Sequence, residues 1–295
     1  MKQKMLQLLL VTSLLFLPGI ALSENWILNG EAARKLIDEK NALVLDARAD
    51  NWKNRLWWNS ISNSVAVKWR ELSDQGGASL GKVSLDQTFT NEVFQRWGVH
   101  ANQPVLVVAD AENGWGEDGR IVWSLRTLGH QQAYLVDGGF QALKAAGASK
   151  ASKPRLPGSF TAQPVEDWHI TAEQIRNQLG QSNLVLIDTR EPREFAGETP
   201  YGESRGGHIP GSVHLHYREL TDAKGRLLPE QQIRQKLQQL GVNENSEVIA
   251  YCTGGVRAGW FTSVLHDLGY QAKNYDGSMW DWSSRSAAEF PLTVR

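Results

Sequence analysis

The chain has 295 residues, 41% of them hydrophobic and 21% charged, with a net charge of −1 at neutral pH. That length allows one large domain or two ordinary ones, and the composition is that of a soluble globular protein. The near balance of charge argues against a nucleic-acid surface, which is usually strongly basic, and a single cysteine excludes an intrachain disulfide.

Lys2 and Lys4 precede an apolar run from Met5 to Leu17, followed by Pro18-Gly19 and Ala21-Leu22-Ser23. A basic head, a short apolar stretch, a helix breaker and small residues read as a secretory signal peptide over residues 1–23. A membrane-spanning helix needs about 20 apolar residues, more than this run supplies. No cysteine follows the run to carry a lipid, so the expected mature protein is exported, most simply to a periplasm, without a membrane anchor.

The remainder repeats itself, which sets the domain count. Leu43-Val-Leu-Asp-Ala-Arg48 returns as Leu186-Ile-Asp-Thr-Arg190, a buried strand ending in Asp-x-Arg. Residues 59–73 align without gaps on 207–221 and share Ile, Ser, Val and an Arg-Glu-Leu trio. The strand beginning at Val105 matches the strand beginning at Val248, with Asp110 expected where Cys252 stands. Leu128-Gly-His130 pairs with Leu268-Gly-Tyr270, and Val136-Asp-Gly-Gly-Phe140 with Tyr275-Asp-Gly-Ser-Met279. Between the copies, residues 149–165 open with a polar, Pro- and Gly-containing stretch that reads as a linker. The expected domains are residues 24–148 and 166–295.

Each copy alternates short apolar strands with helical stretches, which implies an α/β fold with a mainly parallel sheet flanked by helices. In the second copy Thr171 suits an N-cap before a helix over 172–179, and Pro229 sits near the start of a Gln-rich helix ending at Gly241. Val248–Tyr251 reads as a buried strand. Beyond it, apolar residues at 261, 264, 265 and 268 have the spacing of an amphipathic helix.

Between that strand and that helix lies Cys252-Thr-Gly-Gly-Val-Arg257. Gly254 and Gly255 let the backbone turn tightly and expose N–H groups. A thiol among loop amides, a helix N-terminus and Arg257 is in surroundings that favour its thiolate. Cys252 is therefore the candidate nucleophile, and Thr253, Gly254, Gly255, Val256 and Arg257 are the candidate anion cradle. Asp188 and Arg190 read as a structural pair bracing the loop. His208, His214 and His216 flank the Pro210-Gly211 turn without completing a ligand set, and Gly254, Gly255 and Gly259 lack dinucleotide spacing, so neither metal nor cofactor is expected. Trp260, Trp280 and Trp282 are candidates for a lid or pocket wall.

Asp188-x-Arg190, Gly207-His-Ile-Pro-Gly-Ser212, the Cys252–Arg257 loop and Asp276-Gly-Ser278, in this order, resemble a rhodanese sulfurtransferase. The duplicated layout resembles the two-domain thiosulfate and 3-mercaptopyruvate sulfurtransferases, in which only the C-terminal domain keeps the cysteine. The resemblance implies two tandem rhodanese-like domains. It also implies a persulfide on Cys252 that passes its sulfur to a thiol, to cyanide or to a protein acceptor. The family's donor-binding arginine, six residues after the Asp of Asp-x-Arg, is replaced by Glu194. Arg193, one position early, is thus a candidate donor contact, and Arg257 a candidate replacement cation. A glutamate at 194 is expected to repel an anionic donor, which leaves both thiosulfate and mercaptopyruvate open.

Two other readings compete. Cysteine phosphatases separate Cys from Arg by five residues; four separate Cys252 from Arg257, a loop better matched to sulfur than to phosphate. The other rival is a non-enzymatic exported binding or persulfide-carrier module that kept the fold.

Overall fold

Short apolar runs bounded by turn residues become strands here, and the periodic segments between them become the helices that cover both faces. The computed structural model describes residues 25–50, 61–74, 76–77, 80–153 and 157–294, so the signal-like segment lies outside the described residues. Strands β1 (Ile27–Leu28), β2 (Leu43–Asp46), β3 (Val65–Ala66), β4 (Val105–Val108) and β5 (Ala133–Val136) form one sheet, in the order β1-β5-β4-β2-β3. Strands β6 (Leu184–Asp188), β7 (Val213–His214), β8 (Glu247–Tyr251) and β9 (Ala272–Tyr275) form a second, in the order β7-β6-β8-β9. Every pairing between these strands is parallel. With both faces covered, β2 and β4 are buried along their whole length.

The helices of the first half are α1 (Gly30–Lys40), α2 (Gln87–Trp97), α3 (Glu117–Thr127) and α4 (Gly139–Ala145). Those of the second are α5 (Ala172–Gln178), α6 (Pro192–Phe195), α7 (Glu230–Gln239), α8 (Val256–Asp267) and α9 (Ser278–Trp282). Thr171 caps α5, its hydroxyl accepting from Gln174 N–H while the Gln174 side chain accepts from Thr171 N–H at 2.8 Å. Pro229 immediately precedes α7.

Helix α8 departs from the expected amphipathic pattern: Arg257 through Leu265 are all buried. The reason is tertiary. Helix α8 is covered on one side by its own sheet and on the other by α3 of the first half. Glycines let the two helices approach. A Cβ on Gly119 would lie 2.5 Å from Trp260 Cα, and one on Gly259 would lie 3.2 Å from Arg120 Cα. Further ties join the halves, including Trp26 N–H to Asp267 Oδ1 at 2.8 Å and Tyr217 OH to the Gly114 carbonyl at 3.0 Å. The segment read as a linker is also pinned down. Ala151 N–H donates to Ser62 O, Gly158 N–H to Gln95 O and Gln163 N–H to Leu128 O.

The strand register corrects one residue of the repeat. Asp46 of β2 pairs with Val108, whereas the matching Asp188 of β6 pairs with Tyr251. Val108 thus corresponds to Tyr251, and Ala109, not Asp110, stands where Cys252 stands. The next layer agrees: Phe140 N–H donates to Ala109 O just as Met279 N–H donates to Cys252 O. Counted in step from Val105 and Val248, the fifth residues are Ala109 and Cys252, so placing Asp110 there inserts one residue that the strand does not have.

Candidate active site

Cys252 lies at the carboxyl end of β8, where parallel sheets characteristically place ligand sites. Its amide donates to Ser278 Oγ at 2.9 Å, and Ser278 Oγ donates onward to Tyr275 O at 2.6 Å. Trp280 N–H donates to the Thr253 carbonyl at 2.9 Å, so the start of α9 backs the loop. Gly255 caps α8 with φ +75°, and a Cβ there would sit 2.4 Å from Arg120 Nη1. On Gly254 a Cβ would sit 2.3 Å from the Trp280 ring. Close approach of Arg120, Asp276 and Trp280 therefore requires the Gly-Gly pair.

The thiol forms part of the wall of a cleft of about 500 Å³ between the halves. Thr253, Gly254, Val256 and Arg257 line it beside Cys252, with Tyr201 and Trp280. The first half contributes Arg48, Trp69, Arg70, Asp110, Trp115 and Glu117. Among the residues the sequence singled out, the structure gathers Cys252, Thr253, Gly254, Val256, Arg257 and Trp280 at one site. Trp260 packs near Tyr217 at the helix interface, and Trp282 is buried in the core of the second half. The first-half arginines were missed, although both lie in repeated motifs, Asp46-x-Arg48 and Arg70-Glu-Leu72. Their contribution depends on how the halves face each other, which no local pattern encodes.

Arg257 and Glu194 need correction. Glu194 is fully buried and does not line the cleft; it faces Arg257. Arg257 Nη1 donates to Glu194 Oε2 at 2.6 Å and Nη2 to Oε1 at 2.9 Å, while Thr253 Oγ1 donates to Oε1 at 2.7 Å. Burial alone would lower the Arg257 pKa, but the Glu194 carboxylate and the charge on Cys252 more than offset it and hold the guanidinium above the usual arginine range. Burial would likewise raise the Glu194 carboxyl, but the Arg257 and Thr253 hydrogen bonds hold it below the ordinary glutamate value. Arg257 is thus a compensated cation, not a replacement for a free one. Glu194 repels nothing in the cleft directly; it cancels the loop's positive charge.

Arg193 is also corrected. It is exposed, bonded to Glu191 Oε2 at 2.6 Å and to the Tyr201 hydroxyl at 3.0 Å, and it does not line the cleft. Asp188 and Arg190 form a fully buried pair at 2.6 Å, and Arg190 also donates to Gly207 O at 2.8 Å, bracing the adjoining loop. His208 Nδ1 is bonded to Phe195 O and His214 Nε2 to Arg190 O. Both serve the backbone there, and no cluster of three or more metal-ligating side chains occurs among the described residues.

Two copies of one parallel α/β unit, with a thiol on the central-strand turn of one and an alanine in the other, define a duplicated protein with a single cysteine at its inter-domain cleft. The Rhodanese-like domain model matches residues 29–146 and 171–285. A probable 3-mercaptopyruvate sulfurtransferase of Pseudomonas aeruginosa is 33% identical over 64% of this chain and 68% of its own. A thiosulfate sulfurtransferase of Azotobacter vinelandii is 30% identical over 63% and 69%. The crystal structure of the 3-mercaptopyruvate sulfurtransferase SseA from Escherichia coli superposes with a TM-score of 0.73 at 22% identity, covering 86% of this chain and 98% of that one. The chain belongs to the rhodanese family, with a rhodanese-like domain in each half, and is an enzyme of the sulfurtransferase class.

Proposed function

We propose that the protein moves a sulfane sulfur through a persulfide on Cys252. The observation that carries this reading is the placement of the sole thiol at the wall of the inter-domain cleft, on a glycine turn that opens α8. The Cys252 thiolate attacks the outer sulfur of the donor. A new S–S bond forms, and the donor's bond to that sulfur breaks, its electron pair leaving with the remainder of the donor. An acceptor thiolate or cyanide then attacks the terminal sulfur, and Cys252 departs as the thiolate. Loop amides and the N-terminus of α8 favour the negative charge at both stages. The sequence supports export to a periplasm as the setting.

The compensated Arg257 bears on the donor. Arg48 and Arg70 of the first half also line the cleft, so a donor's anionic end meets guanidinium groups from both halves. Arg48 is itself bonded to Asp46 at 2.6 Å. Small dianions such as thiosulfate are accordingly expected to be weaker donors than larger monoanionic or organic persulfide donors that reach across the cleft. The same pairing disfavours a phosphatase, which needs its loop arginine for the phosphate. Incubation with thiosulfate, mercaptopyruvate or an organic persulfide, followed by intact-mass measurement, tests the reading. A gain of one sulfur on Cys252 is expected with at least one donor, and no gain with any of them would overturn it.

A further inference from the structure

Arg120 belongs to α3 of the first half and is fully buried. Its Nη1 donates to Gly255 O at 3.1 Å, and its Nη2 donates to Gly81 O at 2.7 Å and Ser73 Oγ at 3.3 Å. Gly255 O also accepts from Asn274 Nδ2 at 3.2 Å and from Gly259 N–H at 3.0 Å, the first turn of α8. The carbonyl that sets the end of the Cys252 loop is therefore held by a cation from the other domain. Burying a guanidinium is costly, and here Nε has no hydrogen-bond partner. Asp276 lies 3.8 Å away; its Oδ2 already accepts from Val83 N–H at 2.6 Å, and its Oδ1 is at ion-pair distance, 3.2 Å, from His169 Nδ1 without hydrogen-bond geometry.

We infer that Arg120 is a positioning residue for the thiolate of Cys252: it clamps the Gly255 carbonyl and projects a positive charge from behind the loop. Resting on the sulfurtransferase reading, this gives the cysteine-free domain a specific task at the reactive centre. The charge balance around the thiol favours it. On the loop side Arg257 and Glu194 cancel, and on the cleft side Arg48 and Asp46 do the same, so Asp110 and Glu117 face Arg70. Behind the loop, Arg120 and His169 share the single carboxylate of Asp276. Burial lowers the Arg120 pKa, partly offset by Asp276 and by the charge on Cys252.

Alkylation of Cys252 by iodoacetamide across pH, in the full chain, tests the inference without any sulfur donor, so it stands or fails separately from the transfer reaction. Arg120→Gln should move the alkylation profile upward and slow the reaction at neutral pH roughly tenfold. Arg120→Lys, which keeps charge but loses the fork, should stay within about threefold. In a His169→Gln background, which removes the imidazole whose proton Asp276 holds, Asp276→Asn removes the countercharge alone and should move the profile the opposite way, to lower pH. Opposite shifts cannot come from general loosening of the fold. An unchanged profile in Arg120→Gln, or an upward shift in Asp276→Asn, overturns the inference. If neither Arg120 variant folds, the direction of the Asp276→Asn shift decides it alone.

Discussion

Arg257 and Glu194, 63 residues apart in sequence, meet fork to fork beside the Cys252 loop, with both side chains buried. Charge-assisted bidentate pairs of this kind are strong and geometrically specific. The pair fixes the end of the loop, and it removes from the floor of the cleft the charge that an anionic donor would seek.

Breaking that pair should therefore separate stability from donor preference. Glu194→Gln leaves Arg257 buried with an uncompensated charge and should cost about 2–3 kcal/mol, read by denaturant unfolding. In the folded fraction, KM for thiosulfate should fall several-fold. An unchanged KM would show that Arg257 does not reach the donor.

The same carboxylate makes a pH prediction. Its pKa is depressed in the folded state, so its contribution is present above the unfolded glutamate value, about 4.3, and is lost as pH falls through the folded one. Wild type should lose more stability than Glu194→Gln between pH 6 and pH 3; parallel curves would contradict the pairing.

Asp118, at the start of α3, behaves in the opposite sense. Burial pushes its carboxyl up to about 7, opposed by the Gly119 N–H and assisted by Glu117. A carboxyl raised in the folded state binds its proton more tightly there than when unfolded, so stability declines as pH rises from about 4 toward 7. Asp118→Asn should abolish that decline and stabilise the protein at pH 8 by on the order of 2–4 kcal/mol. Equal melting temperatures for the two proteins at pH 8 would refute this.

Cys252→Ser should fold normally yet take up no sulfur, with transfer to cyanide reduced to background. Activity within tenfold of wild type would remove Cys252 from the mechanism.

Because Ala109 is the positional counterpart of Cys252, Ala109→Cys is the substitution that tests the silent half. Its loop carries Asp110 and Glu117 where the active loop carries Gly-Gly and an arginine, so no second sulfur should be acquired. Intact mass showing two sulfurs per chain would mean that the scaffold alone activates a thiol.

The helix crossing tolerates little. Gly119→Ala directs a methyl to within 2.5 Å of Trp260 Cα and should cost about 1–3 kcal/mol. Activity should fall with stability, since α3 carries Arg120 and lies behind the cleft. Full activity and an unchanged melting temperature would show that the interface adapts freely.

Much of this was legible in order along the chain: two Asp-x-Arg strand ends, two Arg-Glu-Leu turns, a cap at Thr171, and one thiol before a Gly-Gly pair. These patterns are local. Strand periodicity, capping and glycine turns act over a few residues, so they survive in a linear reading and are enough to define a duplicated parallel α/β protein with one cysteine on a glycine turn. What remained hidden depends on contacts between distant segments. Whether Glu194 faces a donor or Arg257 depends on where α6 docks. The equivalence of Ala109 with Cys252 is a matter of strand register, fixed by which residue of each inner strand lies opposite Asp46 and Asp188. Helix α8 looks one-sided until α3 covers its other face, and Arg120 gains its place behind the loop only because Gly119 and Gly259 let two helices from different domains approach closely. Charge compensation and close packing are properties of the assembled interior, and they decide which of the visible residues meet.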